Sequence, residues 1–185
     1  MFRALTSTLA LSVLLAWPAA AQDSDKSDNF DVKSSVGDLH MGKDADAKKA
    51  GLPLYPGARP QQDKDNDPLN FGVFTESFGL KLIVAKYESD DPAEKVLAFY
   101  REKMKKYGKV LACHARGDQT GFHSDDNQEG NQPLKCDGDN NGPVQELKVG
   151  TEGNAHIVSI EPRDSGKGTT FAIVYLRKRG KSGDI

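Results

Sequence analysis

One run of oxygen-bearing residues in the second half of this sequence resembles part of a metal-binding loop. Residues 137–144 place Asp137, Asp139 and Asn141 at the first, third and fifth positions of an EF-hand loop, with glycine at the sixth. Position twelve, where calcium loops carry a bidentate glutamate, is Lys148 instead. The same composition also forms plain turns. These three residues are therefore an incomplete calcium candidate beside a plain-turn interpretation, and no cofactor is expected.

Other arrangements typical of catalysis are not found in the sequence. The histidines at 40, 114, 123 and 156 do not follow the H-x-x-x-H or H-x-H spacing of zinc and copper sites. Nucleophile-elbow, S-x-x-K and H-E-x-x-H motifs are also missing. No catalytic residue is predicted, and the balance favours a protein that is not an enzyme.

Cys113 and Cys136 are the two cysteines of the chain. In an oxidising compartment they predict one disulfide, which would close a loop of roughly two dozen residues and stabilise the fold by about 3 kcal/mol. The alternatives are a free thiol, a metal pair or a catalytic cysteine. His114 follows Cys113 directly, but neighbours on a strand point to opposite faces, which argues against a nucleophile–base pair.

The N-terminus has the features of a cleaved bacterial signal peptide. Met1-Phe2-Arg3 is a short basic start, and residues 4–17 form an apolar run that is short for a membrane span. Ala19 and Ala21 occupy the small-residue positions that signal peptidase reads. We predict removal of residues 1–21 and a periplasmic or secreted mature protein.

Composition limits the mature chain to a few classes. Loss of Arg3 changes the formal charge from −2 to −3, and both export and this balance argue against nucleic-acid binding. No second apolar segment reaches membrane length. The basic residues within 177–181 indicate a solvated tail or, alternatively, an anionic surface partner. We expect a flexible leader at 22–30, a single α+β domain at 31–180 and a tail at 181–185.

The clearest element of the sequence is an amphipathic helix from Asp91 to about Tyr107. Asp91 is predicted as its N-cap, Pro92 opens its first turn, and Gly108 ends it. Apolar residues recur at helical spacing and form a stripe that is expected to face the core. They are Ala93, Val96, Leu97, Tyr100, Met104 and Tyr107.

The remaining patterns indicate strands and turns. A small hairpin is predicted around Gly37-Asp38, a short helix over 44–50 capped by Asp44, and a type II turn at Pro56-Gly57. Strands are predicted at 70–77, 80–88, 109–114, 144–149, 155–161 and 169–177. The fold class is α+β, with an antiparallel sheet of five or six strands and the long helix on one face.

Three segments resemble exported bacterial proteins of unknown function. The first is a YPGA segment at 55–58, and the second is a helix in which Phe99-Tyr100 precedes a glycine. The third is the closing strand from Thr169. The resemblance covers roughly 51–180 and implies architecture and compartment, without an activity.

Two functional classes follow from these observations. The first is a non-catalytic envelope protein that binds an envelope partner or a small ligand through the polar loop at 115–142. The second is a secreted enzyme whose site assembles from scattered residues near that loop. A buried pocket that joins His114 or His156 to a carboxylate would favour the enzyme.

Overall fold

The computed structural model describes residues 29–61, 67–116, 130–163 and 167–180 and shows one large antiparallel sheet with a helix across one face. This confirms the helix-on-sheet architecture, with strands as the main content. The helix α1 spans Ala93–Met104 and continues as a 3₁₀ turn through Lys105–Tyr107. In chain order the strands are β1 Phe30–Ser34, β2 Gly37–Gly42, β3 Arg59–Pro60, β4 Leu69–Phe74, β5 Gly79–Ser89, β6 Leu111–Ala115, β7 Val144–Thr151, β8 Asn154–Pro162 and β9 Thr169–Arg179.

The sheet has more strands than the five or six that the sequence predicted, because the N-terminal hairpin is part of it. The strand order is β1-β2-β4-β5-β9-β8-β7-β6, with the two-residue β3 paired to the end of β5. Strand β2 pairs with β4 from Asp38 to Gly42, so the predicted separate hairpin extends the main sheet. Without β2, the edge of β4 would expose a row of unpaired backbone groups.

The helix begins one residue later than predicted and without the predicted cap. Pro92 occupies the N-cap position with ψ of 155°, and no side chain caps the helix there. The Asp91 carboxylate instead accepts hydrogen bonds from the Tyr55 hydroxyl (2.9 Å) and from Lys95 (2.8 Å). These contacts hold the pKa of Asp91 below its usual value, with Lys95 as the larger cause. At the other end, Gly108 with φ of 133° terminates the 3₁₀ turn, as predicted.

The predicted short helix at 44–50 is wrong, because these residues form a turn. Asp46, and not Asp44, accepts a hydrogen bond from the backbone N–H of Lys49 (2.6 Å). One turn fixes several residues for very few backbone bonds, so it does not propagate into a helix. Gly51, with φ of 78°, redirects the chain afterwards.

The core lies between α1, the segment 44–58 and the sheet face that we call inner. Four residues of the predicted stripe, Ala93, Val96, Tyr100 and Met104, are buried. The predicted turn at Pro56-Gly57 is confirmed by a bond from the Ala58 N–H to the Tyr55 carbonyl (3.0 Å) and by φ of 77° at Gly57. The buried sheet residues that meet them are Ile83, Ala85, Tyr87, Leu147, Val149, Val158, Ile160, Phe171 and Ile173.

Tyrosine hydroxyls fasten the segment 44–58 to the rest of the core. The backbone N–H of Tyr55 donates to the Tyr100 hydroxyl (3.1 Å), and the N–H of Ala47 donates to the Tyr87 hydroxyl (2.8 Å). Burial raises the pKa of both Tyr100 and Tyr87, so these hydroxyls remain neutral. The segment therefore completes the core by specific bonds as well as by packing.

Candidate functional site

The disulfide between Cys113 and Cys136 is present, with Cα atoms 5.4 Å apart. Cys113 is buried on the outer face of β6, the face turned away from α1, whereas the adjacent His114 is exposed. Neither cysteine is free, so the free-thiol, metal-pair and catalytic-cysteine alternatives fall away. A structural disulfide is characteristic of an oxidising compartment outside the cytoplasm.

The turn that follows Cys136 closes the edge of β6. The Asn140 side chain accepts a hydrogen bond from the N–H of His114 (2.6 Å), and the N–H of Gly142 donates to the His114 carbonyl (3.2 Å). A Cβ at position 142 would lie 1.9 Å from the Ala115 carbonyl oxygen. Gly142 is thus required by close backbone approach, which a plain turn explains without a metal.

Cationic side chains of the protein contact all three oxygen groups of the calcium candidate. Asp137 forms an ion pair with the Lys148 ammonium. Asp139 pairs with Arg116 (2.8 Å), which also donates to the Asn141 amide oxygen (3.4 Å). These contacts favour the plain turn, and in the described part of the chain no cluster of three metal-ligating side chains occurs. The plain-turn interpretation stays a prediction, which a calcium titration tests.

Lys148 belongs to a buried group of charges beneath this turn. Its ammonium lies 3.1 Å from a Glu146 oxygen, and both side chains are more than nine-tenths buried. The other Glu146 oxygen accepts a hydrogen bond from Ser159 (2.9 Å). Because two carboxylates surround one ammonium, the lysine supplies the positive charge that buried carboxylates require.

The histidines do not form the pocket that would have favoured an enzyme. Stacking on Tyr107 (ring centroids 3.8 Å apart) and contact with Tyr175 (4.8 Å) enclose His156, whose Nδ1 lies 3.0 Å from the Ala50 carbonyl oxygen. Burial lowers the pKa of His156, so the neutral ring is favoured. No described carboxylate contacts His156 or the side chain of His114, and position 123 lies outside the described residues.

A groove of about 740 Å³ opens on the inner side of the molecule, between the end of α1 and the segment that precedes the YPGA motif. Leu52, Leu54, Lys103 and Lys106 are among the residues that line it. Lys106 donates to the Gly51 carbonyl (3.0 Å), and Lys103 lies over the Phe99 ring (5.4 Å). Both lysines thus already have contacts within the protein.

An unusual apolar surface lies on the outer face of the sheet. Strand register aligns apolar side chains into three rows, each running across several strands. The first row is Val32, Leu39, Val73 and Leu80; the second is Phe30, Met41, Phe71, Leu82 and Leu176; the third is Leu69, Val84, Val174 and Ile157. We call these thirteen residues the outer apolar face.

The two ends of the outer side of the sheet differ sharply. At the β6–β7 end the disulfide and Asp137 cover it, and buried Glu146 and Lys148 lie beneath. At the β1–β2 end the apolar side chains are exposed, with Phe30 at 58% and Met41 at 47%. Within the described residues, therefore, the chain covers one end of this side and leaves the other accessible.

Sequence reasoning did not find this surface, although a signal was present. Residues 82–85 and 171–176 are continuous apolar runs, where a sheet with one solvated face should alternate apolar with polar residues. Such runs indicate strands covered on both sides. The helix covers one side, and the described residues cover the other side only at its β6–β7 end.

The chain matches no protein-family model, and no curated protein or solved structure is significantly similar to it. In the described residues, no helix is both long and apolar enough to cross a membrane.

Proposed function

We propose that this protein is an exported, non-catalytic envelope module that binds an apolar surface of another envelope protein through its outer apolar face. The observation that carries the proposal is the alignment of three apolar rows across neighbouring strands, on the side that the helix does not cover. Three of the thirteen residues are exposed, nine are half-buried and Leu176 is buried. A contiguous apolar patch of this kind marks an interaction site.

The shape of the face favours a protein partner over a small ligand. Six strands at about 4.8 Å spacing make it about 24 Å wide, and three rows extend about 14 Å along the strands. It is a sheet surface, whereas small-molecule sites are concave. The groove beside α1 is concave but lies on the inner side. An apolar patch of this size on an open sheet suits the centre of a protein–protein interface.

Export places this interaction in the bacterial envelope. The disulfide supports an oxidising location, and the basic start, apolar run and A-x-A register support cleavage after about Ala21. The mature protein would be periplasmic or secreted. The polar loop at 115–142, our first candidate for binding, offers less in its described portion, because Asp137, Asp139 and Asn141 already contact cations of the protein.

A crosslinking experiment with a matched control tests the proposal. A photoreactive residue replaces Met41, on the outer apolar face, and the control replaces Leu54, which lines the inner groove. The two positions are similarly exposed, at 47% for Met41 and 43% for Leu54. We expect a specific adduct with one envelope protein from Met41 and not from Leu54. That partner, once purified, should bind at least about ten-fold more weakly to Met41→Glu than to Leu54→Glu, since the first buries a charge.

Thermal melts should show that both glutamate variants remain folded, because both positions are exposed. Equal affinity of the purified partner for the two variants would contradict the proposed face. Adducts that form equally from both positions would contradict it as well.

A further inference from the structure

The two edges of the sheet differ in whether other described residues bond to their outward backbone groups. At the edge of β6, Asn140 and Gly142 bond to the backbone of His114. Strand β1 forms the other edge, and all five of its residues are exposed. No described segment pairs with its outward side. An uncovered edge strand is a template for another strand.

Hydrogen-bond alternation identifies which groups of β1 point outward. The N–H of Thr75 donates to the Phe78 carbonyl (2.7 Å), which fixes the alternation between β4 and β5. The strand register carries the same alternation to β2 and then to β1. It directs the backbone N–H and C=O groups of Phe30, Val32 and Ser34 toward β2. The two-residue turn that joins Ser34 to Gly37 agrees with this phase. The backbone groups of Asp31 and Lys33 therefore point away from the sheet.

Charge then selects one register for pairing with an identical strand. In an antiparallel β1–β1 pair that uses the outward groups, three symmetric registers centre on Asp31, Val32 or Lys33. The first places two aspartates opposite each other, and the third places two lysines opposite each other. Only the register centred on Val32 puts Asp31 opposite Lys33, twice, and opposite charges stabilise such pairs whereas like charges destabilise them.

We propose that a second copy of this chain pairs with the edge of β1, in antiparallel register centred on Val32. About four backbone hydrogen bonds would form between the Asp31 and Lys33 positions of the two copies. The interface is isologous and closes with two copies, because each copy contributes the same β1 edge. This inference is independent of the partner proposed for the outer apolar face.

Pairing would also join the apolar surfaces of the two copies. Val32 lies on the same side of β1 as Phe30, and its neighbours on the next strand are Leu39 and Met41. In the paired state Val32 would contact its counterpart, so the first apolar row would continue into the second copy. On the opposite side, Asp31 contacts His40 Nδ1 (2.7 Å), and Lys33 has no ion pair among the described residues. Lys33 is therefore available to the second copy.

Charge reversal tests this register. The full mature protein should show concentration-dependent dimerisation by sedimentation equilibrium. Asp31→Lys or Lys33→Asp alone should raise the dimer Kd at least about ten-fold, since each converts two opposite-charge pairs into two like-charge pairs. The double variant, Asp31→Lys with Lys33→Asp, should restore the Kd to within about three-fold of the original.

A cysteine placed at the symmetry centre gives a second measurement. Opposed residues at a non-hydrogen-bonded antiparallel position have Cα atoms about 4.5 Å apart, within disulfide range. Val32→Cys should therefore oxidise rapidly to a covalent dimer, whereas Val36→Cys, at the 78% exposed turn, should not. A monomer at all concentrations, reversal variants that bind as tightly as the original, or faster crosslinking from position 36 would each overturn the proposal.

Discussion

Lys148 occupies the position where a calcium loop would carry its bidentate glutamate, and its ammonium contacts Asp137, the first residue of that loop. The buried Glu146 lies on its other side. A single side chain thus supplies within the protein the positive charge that a bound cation would supply. Because Lys148 supplies this charge, the acidic turn can form without a bound metal.

Replacement of Lys148 by methionine should be strongly destabilising. The variant leaves the Glu146 carboxylate buried without a counter-charge, and loss of one partner of a buried ion pair typically costs about 3–5 kcal/mol. The matched control is Lys105→Met, which removes an exposed partner of Glu102 and should cost less than about 0.5 kcal/mol. Denaturant unfolding of both variants measures the difference. Similar losses would mean that the buried cluster contributes no more than a surface pair.

At this scale the sequence predicted the disulfide but not the ion pairs. Two cysteines in an exported chain leave one possible pairing, so composition alone was sufficient. The contact of Lys148 with Glu146 depends on two side chains sharing one face of β7, and that of Asp139 with Arg116 depends on the folded turn. The i,i+2 spacing of Glu146 and Lys148 places them on one face of the predicted strand, but their burial does not follow from that spacing.

The segment 44–58 and the helix α1 form one structural unit. The motifs that carry the resemblance to exported proteins of unknown function meet here: Tyr55 contacts Phe99 edge-on (5.2 Å between ring centroids) and bonds to Tyr100. Phe171, from the closing strand, packs against both Tyr55 and Tyr100. The shared residues therefore serve the core, and the resemblance itself stays a prediction.

The Tyr100→Phe variant should show how strongly the segment is fastened. It removes the acceptor of the Tyr55 N–H inside the core, and an unsatisfied buried group costs about 1–3 kcal/mol. Tyr107→Phe is the matched control. Its hydroxyl donates to the Gly51 carbonyl at the surface, and Lys106 also donates to that oxygen. We expect a loss below about 1 kcal/mol for the control in a thermal or denaturant melt. A greater loss of stability in Tyr107→Phe than in Tyr100→Phe would contradict the proposed role of the Tyr100 hydroxyl.

Elements defined by local pattern were predicted well, and elements defined by distant contacts were not. The stripe of α1 and its end at Gly108 follow from spacing and from a glycine. The prediction of Asp91 as the N-cap failed because the carboxylate contacts the Tyr55 hydroxyl, 36 positions away in sequence. The strand count failed because pairing of β2 with β4 is a tertiary event.

Among the described residues, the sheet separates a covered inner side from an outer side that is covered only at its β6–β7 end. The helix and the segment 44–58 cover the inner side, and the disulfide-linked turn covers the β6–β7 end of the outer side. The apolar runs at 82–85 and 171–176 were visible in the sequence, but their outer members form a surface only through cross-strand register. That register could not be read from a single sequence.

Export predicts a specific mature N-terminus. Mass spectrometry of the protein from the native envelope fraction should give a chain that begins at or within two residues of Gln22, because Ala19 and Ala21 present the peptidase register. Ala21→Leu is the matched variant, and it should slow or shift cleavage. An intact Met1 on the protein in that fraction would contradict the assignment.

The short distance between Cys113 and Cys136 has a consequence for how the gene can vary. The disulfide fixes Cys136 beside β6, with Cα atoms 5.4 Å apart, and backbone bonds tie residues 130–134 to 150–153. The length of chain between positions 116 and 130 is therefore uncoupled from the geometry of the strands. The entropic cost of lengthening a closed loop grows only slowly. Insertions and deletions there should accumulate freely between related genes, and a guest peptide or epitope could be spliced in. A polypeptide cut at that place would still migrate as one species until a reductant separated its two halves.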